Sequence, residues 1–178
     1  CKLICIIFMS NVVSIQDLWG YIPYGLAFQF PDQTVDFLVP PSSGHLPLTG
    51  GFVRRGGSFS LADVRPILRP MSFLSKPIRD FDYRVDSFIP AVELALYCSP
   101  DIPEDSWTVV DRGSFVLVYA FTPEGRIAHY FGPTVSMLKG CFDLLYRWRF
   151  DVGGLIEHGP AVDAYTLDCN PYSDCRRF

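Results

Sequence analysis

Two stretches of the chain have hydrophobic patterns that define their element type. Phe115 to Phe121 is apolar at every position. A half-buried strand alternates apolar with polar residues, so this unbroken run predicts a strand covered on both faces. Thr122-Pro123-Glu124-Gly125 follows, with proline second and glycine fourth, which is type I turn chemistry. Arg126 to Phe131 then reads as the return strand of a hairpin, and Trp107 to Val110 joins it across Asp111-Arg112-Gly113. Beyond this the period changes. Val135, Leu138, Cys141, Phe142, Leu145 and Trp148 recur at helical spacing, while Lys139, Asp143 and Arg147 stand four apart on the other side. The pattern predicts a helix over about 134–149 with one buried stripe and one solvated face.

The remaining signals are shorter. Ile15 to Gly20 reads as a helical turn, and Leu26 to Phe30 pairs with Thr34 to Val39 across Pro31-Asp32-Gln33. Residues 40–51 read as loop, and Phe52 to Phe59 as a hairpin with Gly56 and Gly57 near its tip. Ser60 and Asp63 have capping-box spacing and predict a short helix over about 60–68, limited by Pro66 and Pro70. Residues 72–86 show no regular pattern. Ser87 is a candidate cap for a helix over about 87–97, with Pro90 in its first turn. A short turn at Leu155 to His158, a brief strand and a polar tail over 169–178 complete the chain. Strands and helices are segregated, with no βαβ alternation. The expected class is therefore α+β: an antiparallel, twisted or barrel-like sheet with one long helix and two short ones.

A chain of 178 residues suits a single domain, here expected over 9–168. Residues 1–8 read as an extension ahead of a start at Met9, with a short secretory or anchor segment and an ordinary edge strand as the alternatives. No run of eighteen apolar residues occurs, so no membrane partner is expected. The formal net charge is −4, and the six cysteines are scattered without a CxxC pair. Cys98 and Cys141 read as small core residues and the thiols as reduced, which fits a cytosolic protein. Neither a metal site nor a cofactor is indicated. His45, His129 and His158 lack ligand spacing even with Asp163 or Asp168 nearby, and no glycine pair carries a phosphate-loop lysine. Asp32 with Asp36, and Asp80 with Asp82, fall in turns and read as solvated surface. Cys169 and Cys175 are spaced to close a small disulfide if exported.

Three segments carry a resemblance: Pro23-Tyr24-Gly25, the stretch from Asp63 through Pro66 and Pro70 to Ser72, and the stretch from Phe150 and Asp151 through Gly154 and Gly159 to Ala161. Their order and spacing resemble a family of uncharacterised proteins of Bacteroides-type gut bacteria and their phages and mobile elements. Two departures stand out. Phe73 to Pro77 replaces the family's acidic stretch, and Arg147, Trp148 and Arg149 stand where it has histidines. The family has no assigned activity, so the resemblance implies a small phage-associated accessory protein and transfers no catalytic residue. Within the last segment, Gly153 or Gly154 is expected to end the long helix with a positive φ, Asp151 to cap the next turn, and Leu155 and Ile156 to close the core.

One charged segment stands apart. Between positions 54 and 84 lie Arg54, Arg55, Arg65, Arg69, Lys76, Arg79 and Arg84 against Asp63, Asp80 and Asp82. Seven basic minus three acidic residues gives +4, leaving −8 on the rest of a chain whose total is −4. Six of the seven are arginine, with Phe59, Phe73, Phe81 and Tyr83 interleaved, a combination suited to phosphate contacts and base stacking. The leading expectation is a non-enzymatic accessory protein that binds a protein partner. A nucleic-acid-binding module using residues 54–84 is the alternative, and a hydrolase with an unrecognised site a further one.

Overall fold

A computed structural model describes residues 13–38, 51–54, 57–80, 82–113 and 116–173. The extension at 1–8, the loop at 40–50, Arg55 and Cys175 lie outside the described residues. The first element among the described residues is a single helical turn, α1 (Ile15–Leu18), held by a capping box in which Ser14 and Asp17 each bond the other's backbone N–H. Strands β1 (Leu26–Gln29) and β2 (Val35–Leu38) form the expected hairpin. A second hairpin joins β3 (Gly51–Arg54) to β4 (Gly57–Ser60).

The capping box at Ser60 and Asp63 is present, yet the predicted 60–68 helix is not. It yields one 3-10 turn, Leu61–Asp63, and Val64 then turns extended at φ −130°. Residues 65–68 become strand β5 (Arg65–Leu68). The cap specifies only a first turn, and Pro66 cannot donate to a second. Sheet pairing decides the remainder. β5 lies antiparallel to β1 on one side and parallel to β11 (Val162–Asp163) on the other, giving the order β11-β5-β1-β2.

The stretch at 72–86 also differs from expectation, because it holds a bulged hairpin, β6 (Ile78–Asp80) and β7 (Arg84–Phe88). Helix α2 (Pro90–Cys98) starts three residues later than predicted, with Pro90 in its first turn and Ile89, not Ser87, at the N-cap. It lies against the three-stranded sheet of β8 (Trp107–Asp111), β9 (Val116–Phe121) and β10 (Ile127–Tyr130), in the order β10-β9-β8. The Thr122–Gly125 turn forms as expected: the Gly125 N–H donates to the Thr122 carbonyl at 2.9 Å, and Gly125 takes φ +79°. The protein is thus α+β. Its sheets stay open, without a closed barrel, and the β11–β5 pair is parallel.

Helix α3 (Val135–Arg147) covers the predicted span but buries only part of its stripe. Cys141, Leu145 and Trp148 pack with Ile78, Phe88, Leu94 and Phe150, whereas Val135, Leu138 and Phe142 remain open, Val135 at 87%. The apolar arc is wider than the face the core covers. On the polar side Lys139 is exposed and bonds Asp143 at 2.6 Å, while Arg147 is half-buried over the Tyr83 ring.

The end of α3 is not built by a glycine. Arg149 N–H donates to Tyr146 O at 3.0 Å and Phe150 N–H to Leu145 O at 2.9 Å, which is the paired bonding of a Schellman motif. Arg149 itself holds the left-handed position at φ +58°. Gly154, at φ +70°, falls in the following turn, where Asp151 caps Leu155 N–H at 2.7 Å and Ile156 N–H at 2.8 Å. Leu155 and Ile156 pack onto the core as expected.

Candidate functional site

Residues near Tyr24, Arg69 and Phe150, from three segments far apart in the chain, meet in the interior. Arg69, just past β5, is bridged to Phe150: its N–H donates to Arg149 O at 2.7 Å, and its carbonyl accepts from Asp151 N–H at 2.8 Å. The Arg69 guanidinium donates to Asp80 Oδ2 at 2.8 Å, to Trp148 O at 2.5 Å and to Arg79 O at 2.8 Å. Arg149 meets the same Asp80 carboxylate at 3.1 and 3.3 Å and Asp82 at 2.9 Å. Its remaining donors reach the Tyr24 carbonyl and, at 3.1 Å, the Gly25 carbonyl. Gly25 takes φ +73° and so delivers both carbonyls to one guanidinium. Tyr172 completes the cluster, its ring 5.0 Å from one guanidinium carbon and 5.1 Å from the other. Its hydroxyl donates to Ile67 O and accepts from Ala27 N–H.

Arg69, Arg149 and Asp80 are at most 1% exposed. Charges so enclosed are costly unless paired and hydrogen-bonded, and here two guanidinium groups face the carboxylates of Asp80 and Asp82, with Arg69 Nε the one guanidinium nitrogen of Arg69 that has no partner among the described residues. Asp82, 42% exposed, forms the solvent-facing edge of the cluster, while Arg69, Arg149 and Asp80 lie inside it. The cluster joins the β1–β5 sheet, the β6–β7 hairpin, the end of α3 and the chain near Tyr172, and acts as a structural tie.

Two expectations are corrected here. Asp80 is not solvated surface, because the β6–β7 hairpin turns its carboxylate inward. Residues 169–173 are not a polar tail, since Asn170, Pro171 and Tyr172 are buried. Burial pushes the Tyr172 phenol up to about 12, and pushes that of Tyr21, which donates to Phe150 O at 2.7 Å, higher still. In the unfolded chain both ionise near 10. Their contribution to stability is therefore complete below about pH 10 and lost as pH rises through about 12. Burial and the Glu93 carboxylate also push the Tyr83 phenol up to about 12, so absorbance titration at 295 nm is expected to show three late tyrosines, of which the enclosed Tyr21 and Tyr172 ionise only as the circular dichroism is lost. Ionisation of all nine near pH 10 in a folded protein would contradict this.

The basic segment does not stay together at the surface. Arg69 is withdrawn into the tie, because it directly follows β5, a central strand of its sheet, and bridges to Phe150. Arg84 pairs with Glu93 at 2.5 Å and Glu104 at 3.6 Å. Arg65 is exposed and donates to the carbonyls of Gly159, at 3.0 Å, and Ala161, at 2.9 Å. It borders two grooves of about 320 and 680 Å³ that share Gln29 and Gln33. Lys76 lies over the Phe73 ring at 4.2 Å, Arg79 is exposed, and Arg54 sits at the end of β3. Of the interleaved aromatics, Phe73 stacks on Tyr165 at 3.8 Å and Tyr83 packs against Phe88 and Trp148.

His129 reaches Ser99 Oγ at 3.2 Å and His158 reaches Gly154 O at 2.6 Å, so the two histidines are engaged separately. No group of three or more histidine, cysteine or acidic side chains suited to a metal occurs among the described residues. Asp32 accepts from Thr34 N–H and Oγ1 within its turn. The expectation of reduced thiols holds for Cys98 and Cys141 but is corrected at Cys169, which is disulfide-bonded to a partner outside the described residues. No helix among the described residues is long and apolar enough to cross a membrane.

One surface departs from expectation in a way that bears on function. The run predicted to be covered on both faces is covered on one. Val118 and Ala120 lie under Ala91, Val92 and Ala95 of α2, together with Trp107. On the other face Leu117 is 38% exposed, Phe121 41%, Ile127 46% and Tyr130 60%. Strand register brings these residues together, pairing Tyr130 with Tyr119, Ile127 with Phe121 and Val110 with Leu117. The Tyr119 ring meets Phe121 at 5.2 Å and Tyr130 at 6.1 Å.

The fold and this surface define an α+β protein with a buried ionic tie and an open aromatic sheet face. No family model matches the chain, and no match is found among curated proteins or solved structures.

Proposed function

We propose that this chain is a non-enzymatic accessory protein whose outer β8–β10 face docks against a protein partner. The carrying observation is the mismatch between the sequence of β9 and its surroundings. The strand is apolar on both sides, as in a fully covered sheet, yet α2 covers only one side among the described residues. An aromatic patch of this kind suits a protein contact, where tyrosine and phenylalanine are enriched and tyrosine is a frequent hot spot. The family resemblance adds a phage or mobile-element setting. A nucleic-acid role has less support, since Arg69 is buried and Arg84 is neutralised by glutamates.

Radical footprinting of the isolated chain tests the face directly. Tyr119, Phe121 and Tyr130 are expected to be labelled rapidly, while protection would mean that the chain's own residues cover them and would overturn the proposal. Phe121→Ser with Tyr130→Ser is expected to change stability by less than about 1 kcal/mol. The same variant should weaken binding to a partner recovered with the wild type by tenfold or more, whereas Val135→Glu on α3 should not.

A further inference from the structure

Cys98 ends α2 and Cys141 lies within α3, 43 residues further along the chain, and their sulfurs stand 3.6 Å apart. Both thiols are free, Cys141 buried and Cys98 partly open to solvent. A disulfide needs sulfurs about 2.05 Å apart, so forming one here requires the two sulfurs to close by about 1.5 Å. We propose that Cys98 and Cys141 form a reversible disulfide that staples α2 to α3, made by exchange with a low-molecular-weight disulfide such as oxidised glutathione.

The partly open Cys98 is the group such an oxidant reaches first. Cys98 loses its proton to solvent and attacks one glutathione sulfur. The glutathione disulfide bond breaks, and one glutathione leaves as thiolate and takes up a proton. Cys141 then loses its proton and attacks the Cys98 sulfur, expelling the second glutathione in the same way. Two protein thiols are oxidised and one glutathione disulfide is reduced to two thiols. Burial and the adjacent Cys141 sulfur hold the Cys98 thiol well above the usual thiol range, so little thiolate exists at neutral pH and exchange is slow without a catalyst.

The crosslink closes a 43-residue loop that contains β8, β9 and β10, and restricts the unfolded chain accordingly. The test is equilibration of the full chain in glutathione buffers of graded ratio, acid quench, alkylation and peptide mass mapping. A Cys98–Cys141 crosslinked peptide is expected under oxidising conditions, disappearing under reducing ones, with a higher Tm for the oxidised form. Cys141→Ser is expected to halt the reaction at a Cys98–glutathione mixed disulfide. Full alkylation of both thiols in the most oxidising buffer, or mixed disulfides alone in the wild type, would overturn the proposal.

Discussion

Asp80→Ala is expected to destabilise the protein by about 3–5 kcal/mol, a large part of the 5–15 kcal/mol available to a typical domain. The reason is not the strength of a single ion pair. Asp80 accepts from both buried guanidinium groups, so its removal leaves Arg69 without its only carboxylate among the described residues and Arg149 with Asp82 alone. A buried guanidinium left without its carboxylate carries a large desolvation penalty. The fold must then admit water or expel the group. Asp143→Ala supplies the contrast. It breaks a pair with Lys139 at the shorter distance of 2.6 Å, but on the surface, and is expected to cost less than about 0.5 kcal/mol. Urea unfolding followed by tryptophan fluorescence measures both, with Trp148 inside the tie. Equal losses for the two variants would show that the buried cluster does not hold the fold together.

Arg149→Ala is expected to cost a similar 3–5 kcal/mol, because it removes the second guanidinium and leaves the carbonyls of Tyr24 and Gly25 without that donor. A second effect separates the variants at this position. The backbone here is left-handed, at φ +58°, which for a residue with a Cβ costs about 1 kcal/mol relative to glycine. Arg149→Gly loses the same side-chain bonds but relieves the backbone, so it should be more stable than Arg149→Ala by about 1 kcal/mol. Denaturant midpoints at constant slope give this difference. Equal stability of the two variants would mean that the helix stop carries no strain, and a neutral Arg149→Ala would remove the tie altogether.

Much of the local structure was legible in the residues. The hairpin at 116–130 and the span of α3 followed from pattern and turn chemistry, because hydrophobic period and proline–glycine placement act over a few residues. The same locality explains the failures. The Ser60–Asp63 capping box is real, yet a cap governs one turn, and pairing with β1 and β11 drew 65–68 into a sheet. Asp80 and Arg149 were unreadable as partners, since 69 positions separate them. Tyr172 looked like part of a tail because nothing nearby in sequence shows that its hydroxyl lies under β1 and β5.

By itself the sequence determined the fold class, the turns, the strong hairpin and the long helix, since each is set by contacts between near neighbours. It also held the unbroken apolar run of β9, but not how many of its faces this chain would cover. Only the tertiary structure decided which charges went inside, which aromatics stayed outside, and that Cys98 and Cys141 would meet. Those outcomes depend on desolvation and packing between segments far apart in the chain. A buried arginine is stable only where a distant carboxylate and the right backbone carbonyls converge on it, and no local pattern encodes that convergence.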